Sequence, residues 1–425
     1  MRQISRLCFL IVALFSLASL YACSKDDETT QIEPTSDDEE TVVDMLPKAV
    51  PIKLTDHQKS MVNKSNDFSF RLFKQTNGTN KSRVLSPLSV AYVLGMLNDG
   101  AVGETSRQIM QVLGLDGEST KEINEFCANI LENLPKVDEN VKLNVANAMF
   151  VNDHFSLRSG YKEDLQNYYK AAAEALNFSS SSAAGIINSW CDKNTNGMIN
   201  KILDETDPAA VAYLLNAIYF KATWTEKFDE KNTKTEPFRK DDRTTVDLPM
   251  MHRYAEARYC RNEKYSTLCL PYSSGAFNML VLLPEEGVTV DQVADMLDEK
   301  SWNTNMADMS NYEVDIKIPR FTTTFETSLT DILSSMGMVL PFTPLAEFPN
   351  VVNEDNLCVS EIKQSAKIIV NEEGTEAAAV TIGSYTTTSV SEPKTAVFHA
   401  DRPFLYAIQE NTSGLILFVG TFTAN

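Results

Sequence analysis

The residues able to do chemistry in this chain are few, and none forms a recognised catalytic spacing. The four histidines are His57, His154, His252 and His399. The sequence contains no GxSxG nucleophile elbow, no HExxH zinc motif, no Walker sequence and no GxGxxG fingerprint. Ser86 lies in the sequence Leu-Ser-Pro, which is equally typical of a helix cap. We therefore predict that the chain is not an enzyme, and we predict no cofactor and no metal site.

A different chemistry is indicated by residues 371–383, which follow a predicted buried strand at 366–370. Gly374 can adopt backbone angles that are closed to other residues, so it favours a hinge. In an extended conformation, alternate side chains after it face the same side, and on one side all of them are small. The predicted hinge consists of Gly374, Thr375, Glu376, Ala377, Ala378 and Ala379. This pattern predicts a loop that can enter a sheet as a strand.

The elements that must position this loop are helical first and then mainly extended. Apolar residues recur at helical spacing through 54–73, 88–97, 104–113 and 119–133. Long β-branched or aromatic runs at 143–151 and 210–220 predict strands buried on both faces. Residues 312–318 alternate as a half-buried strand does. The expected fold class is therefore α+β.

Five ordered blocks then point to a family. They are residues 83–90, 216–224, 249–251, 270–284 and 401–420. Together with the hinge, they resemble the serpin family of protease inhibitors across about residues 53–424. The resemblance implies one serpin domain at residues 51–425. It also implies three β-sheets, eight or nine helices and an exposed reactive-centre loop.

The resemblance implies a suicide-type inhibitor that traps its target by inserting the cleaved loop into the central sheet. Counting seventeen residues from Glu372, as the family does, places the reactive bond between Thr388 and Ser389. The uncharged, β-branched residues 384–391 favour an elastase-like serine protease as the partner. Tyr385 leaves a chymotrypsin-like target open, and a cysteine protease is a further alternative. A monomer is expected.

Two supporting clusters are carried over by position. The shutter, a polar cluster beneath the central sheet, corresponds to Ser86, Ser89, Asn216 and Gln364. Gln364 stands where the family has a histidine, so pH-dependent opening is not expected here. The breach, where the loop enters the sheet, corresponds to Trp224, Arg320 and Glu372. We expect Arg320 and Glu372 to form a charge-assisted pair.

The N-terminus has the pattern of an export signal. Arg2 and Arg6 precede an apolar stretch at 7–20, and residues 20–23 resemble a bacterial lipobox ending at Cys23. We predict a lipoprotein signal peptide at 1–22, lipid attachment at Cys23 and an acidic tether at 23–50. The predicted protein is an exported lipoprotein of the outer membrane, exposed at the cell surface. An ordinary cleaved signal peptide is the alternative.

Composition limits the partners. The formal net charge is -20, and residues 24–45 carry nine acids and one base, so nucleic-acid binding is not expected. Beyond the export segment, five cysteines remain, and we predict free thiols rather than disulfides: Cys127, Cys191, Cys260, Cys269 and Cys358. Two other functions stay open, namely a non-inhibitory binding or chaperone-like protein of the same fold and an adhesion lipoprotein.

Overall fold

The computed structural model describes residues 49–78, 80–353, 357–375 and 394–425. Several predictions fall outside these ranges. They are the signal peptide at 1–22, Cys23, nearly all of the tether, the hinge residues Glu376, Ala377, Ala378 and Ala379, and the reactive bond between Thr388 and Ser389. The account below concerns the described residues.

The helices that the structure describes are α1 (Asp56–Lys74), α2 (Pro87–Gly100), α3 (Gly103–Leu113), α4 (Thr120–Asn133), α5 (Ser159–Tyr169), α6 (Ala183–Asn194), α7 (Val290–Met296), α8 (Glu299–Asp308) and α9 (Thr330–Ser335). Local sequence explains several starts. Thr55 and Ser119 cap α1 and α4 in capping boxes, and Pro87 opens α2. All four predicted helical stretches are confirmed. None of these nine helices is long and apolar enough to cross a membrane.

The strands in the same ranges are β1 (Arg83–Leu85), β2 (Lys142–Asn152), β3 (Ala172–Leu176), β4 (Ala212–Thr223), β5 (Lys234–Arg239), β6 (Thr245–Arg261), β7 (Tyr265–Tyr272), β8 (Phe277–Pro284), β9 (Ser310–Pro319), β10 (Phe321–Ser328), β11 (Lys363–Asn371), β12 (Gly374–Thr375), β13 (Thr395–His399), β14 (Phe404–Glu410) and β15 (Ile416–Phe422). The predicted strands at 143–151, 210–220, 312–318 and 366–370 correspond to β2, β4, β9 and β11.

The described strands form two hydrogen-bonded sheets. The first has the order β1-β15-β14-β8-β7-β6-β9-β13, with β5 also paired to β6. The second, here called the central sheet, has the order β10-β11-β12-β4-β2-β3. We expected three sheets, but β6 pairs with β5, β9 and β7 along its length and so joins two of them. The α+β class is as expected.

One large apolar core holds these layers together, with a smaller cluster between α6 and strands β2 and β4. α2 lies within the core, since most of its residues are buried. The five cysteines are free, as predicted. Burial raises the pKa of the Cys127 thiol to about 12, which keeps it protonated near neutral pH.

Candidate functional site: the upper end of the central sheet

A tight turn connects β11 to β12 at the end of the central sheet, here called its upper end. The Asn371 side-chain oxygen accepts hydrogen bonds from the backbone N–H groups of Glu373 (3.0 Å) and Gly374 (3.2 Å). Asparagine commonly fixes turns in this way. Gly374 has φ +149°, and a Cβ there would lie 2.1 Å from the carbonyl oxygen of Ala222. The turn therefore requires glycine at this position.

β12 places two hinge residues inside the central sheet. Thr375 pairs with Val370 of β11 on one side and with Ala222 of β4 on the other, both antiparallel. Its side chain is fully buried, and a hydrogen bond of 2.6 Å joins its hydroxyl to that of Tyr272. The start of the predicted hinge is thus seated as a strand between two neighbours.

Below β12, the described strands β11 and β4 are not joined directly by backbone hydrogen bonds. Among the described strands, β12 alone stands between them, and it covers only the last residues of each. The facing edges at 363–369 of β11 and 212–221 of β4 receive no partner from the rest of the described chain. Two strands separated by one position lie about 9.5 Å apart, which is twice the spacing of neighbouring strands and leaves room for one inserted strand.

The predicted breach pair is present. Arg320 donates two hydrogen bonds to the Glu372 carboxylate, at 3.0 Å and 2.6 Å, and Thr233 donates a third at 2.7 Å. Glu372 is only 2% exposed. Burial raises the pKa of Glu372, but the hydrogen bonds from Arg320 and Thr233 outweigh it, so the pKa lies below that of an ordinary glutamate. Glu372 is therefore held as a carboxylate near neutral pH.

Trp224 completes the breach. Its indole Nε1 donates to the carbonyl oxygen of Asn371 at 2.9 Å, and its ring stacks on Tyr272 with centroids 4.4 Å apart. Its backbone N–H donates to the carbonyl oxygen of Glu373, whose carboxylate lies 2.6 Å from Lys227 Nζ. Trp224 thus holds both sides of the turn. The three residues predicted for the breach do come together here.

The predicted shutter is assembled only in part. Ser86 caps α2 and its hydroxyl accepts a hydrogen bond from that of Ser89 at 2.9 Å. Gln364 of β11 accepts from the Ser86 N–H at 3.3 Å and donates to the Ser86 carbonyl oxygen at 2.7 Å. Asn216 instead donates to Asn147 at 2.7 Å. Within the described ranges, no hydrogen bond joins Asn216 to the other three.

Four residues at the site were not predicted from the sequence: Tyr272, Lys227, Thr233 and Asn371. Tyr272 lies in a block that carried the family resemblance, but nothing in its neighbourhood indicated a contact 103 residues further along the chain. Asn371 precedes two glutamates and a glycine, which is a turn signal that could have been used. Together these contacts hold the two-residue strand β12 in the central sheet between β11 and β4.

Comparison with known proteins agrees with this geometry. The family model described as "Serpin (serine protease inhibitor)" matches residues 63–424. Serpin-Z10 of Arabidopsis thaliana is 34% identical, over 84% of this chain and 95% of its own. A serpin-like protein of Thermococcus kodakarensis is 32% identical, over 85% of each chain. This chain belongs to the serpin family, which is a family of serine protease inhibitors and not of enzymes, and some of its members do not inhibit proteases.

Solved structures of serpins also match this chain. The native state of tengpin, a thermophilic serpin, matches with a TM-score of 0.78 and 30% identity, over 89% of this chain and 97% of that one. Thyroxine-binding globulin in complex with thyroxine matches with a TM-score of 0.77 and 26% identity, over 85% of this chain and 98% of that one. The hinge, shutter and breach roles of individual residues remain predictions.

Proposed function

We propose that this chain inhibits a serine protease by offering its loop for cleavage and then inserting that loop into the central sheet. The observation that carries the proposal is the seating of Gly374 and Thr375 between β11 and β4. The strand position below them has no partner from the described residues. The segment that follows Thr375 in the chain is the natural occupant of that position.

The proposed chemistry begins with the protease. Its nucleophilic serine attacks the carbonyl carbon of Thr388, and the acyl-enzyme ester forms as the amide to Ser389 breaks. The loop is then attached to the rest of the inhibitor only through the hinge. Insertion of about 15 residues at roughly 3.3 Å each would carry the esterified protease about 50 Å. A protease dragged that far and distorted cannot complete hydrolysis.

The free energy that drives insertion of the loop comes from backbone hydrogen bonds between the inserted strand and its neighbours β11 and β4. Each inserted residue gains backbone hydrogen bonds worth about 0.5–1.5 kcal/mol net, so the full strand supplies on the order of 10 kcal/mol. The facing edges of β11 and β4 provide the partners. The breach contacts keep the turn at Glu372 and Glu373 in place, so insertion proceeds downward from a fixed upper end.

The proposed target is elastase-like. Thr388 and Val390 are small and β-branched, which suits a shallow apolar specificity pocket, and no lysine or arginine occurs at 384–391. Tyr385 suits a chymotrypsin-like target, which is the alternative, but cleavage there would leave a shorter insert and a poorer trap. We further propose that Cys23 carries a lipid anchor in the outer membrane and that the acidic tether holds the inhibitor away from that surface.

A second function is favoured by one observation. Thyroxine-binding globulin, which is seen in complex with thyroxine, has the same fold, so a serpin fold can serve as a ligand carrier. A non-inhibitory role for this chain would leave the hinge unused after cleavage. The small side chains at 375, 377, 378 and 379 favour inhibition, because a strand that enters between packed neighbours needs them.

The test is incubation of the purified protein with neutrophil elastase, pancreatic elastase, trypsin and chymotrypsin, followed by denaturing gels and intact mass. We expect an SDS-stable complex with an elastase and a released peptide that begins at Ser389. Cleavage of the loop by every protease without any complex would contradict inhibition and favour the carrier function.

A further inference from the structure

Three side chains that can bind a metal ion converge where the start of α1 meets the start of α4. His57 lies in the first turn of α1, Glu118 in the connection between α3 and α4, and Glu122 in the first turn of α4. The Nε2 atom of His57 lies 2.8 Å from a Glu118 oxygen and 3.8 Å from a Glu122 oxygen. All three ligand atoms lie within 4.8 Å of one another. One imidazole nitrogen and two carboxylate oxygens thus share one small volume.

These separations fit a small transition-metal ion. Zn²⁺ lies about 2.0–2.1 Å from an imidazole nitrogen and about 2.0–2.2 Å from a carboxylate oxygen. In tetrahedral geometry, two such ligand atoms are therefore about 3.3 Å apart. The two separations measured from His57 lie on either side of this value. Small movements of His57 and Glu122, whose side chains are half-exposed, would complete the geometry.

Glu118 is the most firmly held of the three. Only 9% of its side chain is exposed, and Lys64 of α1 donates a hydrogen bond of 2.7 Å to one of its oxygens. Its other oxygen is the one that lies beside His57. In metal sites, a partner on the second oxygen of a ligating carboxylate fixes the direction of the first. Lys64 stands in that position here.

Glu122 is oriented in the same way by the cap of α4. The Ser119 backbone N–H and hydroxyl donate to one Glu122 oxygen at 2.8 Å and 2.7 Å, as part of a capping box. These hydrogen bonds hold the pKa of Glu122 below its usual range, so the group is a carboxylate near neutral pH. Its other oxygen is the one on the side of His57.

The charges of the cluster favour a dication. The two carboxylates lie close enough to repel each other, and Lys64 compensates only one of them. A neutral imidazole, the form that binds metals, adds no charge. Among the described residues, the neighbouring bases Lys59 and Lys121 pair instead with Asp56 and Glu125. One negative charge of the cluster therefore has no counter-charge from these bases.

We propose that His57, Glu118 and Glu122 bind Zn²⁺, with water as the fourth ligand. An imidazole with carboxylates suits Zn²⁺, whereas Ca²⁺ and Mg²⁺ take oxygen ligands. The metal binds Nε2 in place of the proton that now faces Glu118, and the neutral ring carries its proton on Nδ1. The ion joins the starts of α1 and α4, which both pack on α2. The site includes no residue of the central sheet, so it does not depend on the proposed inhibition.

No sequence motif indicated this site, because His57 is separated from both glutamates by α2 and α3. The test is calorimetric titration of the purified protein, free of any histidine tag and treated with a chelator, with Zn²⁺, Ca²⁺ and Mg²⁺. The variant His57→Gln keeps a donor for Glu118 but has no metal-binding nitrogen. We expect it to weaken Zn²⁺ binding by about tenfold or more. The matched control is His154→Gln, which makes the same change at another exposed histidine and should leave Zn²⁺ affinity unchanged.

Hydrogen exchange locates the ion. Zn²⁺ should slow backbone exchange in the first turns of α1 and α4 in the wild-type protein, and it should have no such effect in His57→Gln. Without metal, the two proteins should exchange alike, which would exclude a folding defect in the variant.

Three results would overturn the proposal. The first is a wild-type protein that binds no Zn²⁺. The second is a His57→Gln variant that keeps both the Zn²⁺ affinity and the protection of the two turns. The third is equal binding of Ca²⁺ and Zn²⁺ that His57→Gln does not alter, because that would be attraction to an acidic surface only.

Discussion

Replacing Thr375 with arginine would put a charge into a position that the structure fills with a buried hydroxyl. Thr375 is fully buried, its backbone pairs with strands on both sides, and its hydroxyl is bonded to Tyr272. An arginine could remain in that position only by burying an unpaired guanidinium. We expect Thr375→Arg to displace β12 from the central sheet.

The size of the expected effect of Thr375→Arg follows from the burial of this position. Placing an unpaired charge in such a site costs about 3 kcal/mol or more. If the loop inserts with residue 375 in its position between β11 and β4, that cost slows insertion by about two orders of magnitude. Hydrolysis of the acyl-enzyme is unaffected, so most encounters should end in a cleaved, released chain. The stoichiometry of inhibition should rise from about one to well above ten.

The assay titrates a fixed amount of active protease with the variant and separates complex from cleaved chain on denaturing gels. Thr375→Val is the matched control, because valine keeps the shape and removes only the hydroxyl. It leaves the buried Tyr272 hydroxyl unpaired at a cost of about 1–3 kcal/mol. The double variant Thr375→Val/Tyr272→Phe removes both hydroxyls and should recover most of that loss.

An arginine variant that traps protease as completely as wild type would refute this reasoning. In that case Thr375 would not need to lie between β11 and β4 for inhibition. Loss of loop cleavage in the same variant would also count against it, because seating of the hinge is expected to affect trapping and not attack.

Three further predictions concern the same sheet. Gly374→Ala places a Cβ against the Ala222 carbonyl, so backbone hydrogen exchange at 374–375 should rise, and unchanged protection would contradict the required glycine. Glu372 has a lowered pKa in the folded protein, so its stabilisation is present above its unfolded pKa and is lost as pH falls through the folded value. Urea unfolding should therefore show a larger deficit for Glu372→Gln at pH 7 than at pH 3, and equal deficits would contradict this. Gln364→Leu leaves the Ser86 backbone N–H unpaired and removes one of two hydrogen bonds to the Ser86 carbonyl oxygen, so it should reduce the free energy of unfolding by about 1–3 kcal/mol, whereas an unchanged value would show that water replaces the amide.

Much of the fold could be predicted from local signals. Apolar spacing located α1 to α4, because those helices depend on neighbours within one or two turns. Long β-branched or aromatic runs located β2 and β4, but the expected burial on both faces was wrong, because one face of β4 and the first half of β2 are only partly buried. The joining of two expected sheets through β6 could not be predicted, because strand pairing depends on partners far along the chain.

In the candidate site, too, some contacts could be predicted from the sequence and others could not. The Arg320–Glu372 pair was expected from the resemblance and is present, since both residues lie in segments whose register the family motifs define. The contact of Tyr272 with Thr375 was missed, because it joins residues that have no local relation. Asn216 was expected with Ser86 but bonds to Asn147, its direct neighbour across β2 and β4.

The central claim is that the segment after Thr375 becomes a strand between β11 and β4. The most direct measurement is the Tm of the protein before and after its loop has been cleaved, with the cleaved chain identified by mass. Insertion worth on the order of 10 kcal/mol should raise Tm by on the order of 10–20 °C. An unchanged or lower Tm after cleavage near Thr388 would contradict insertion and, with it, the inhibitory mechanism.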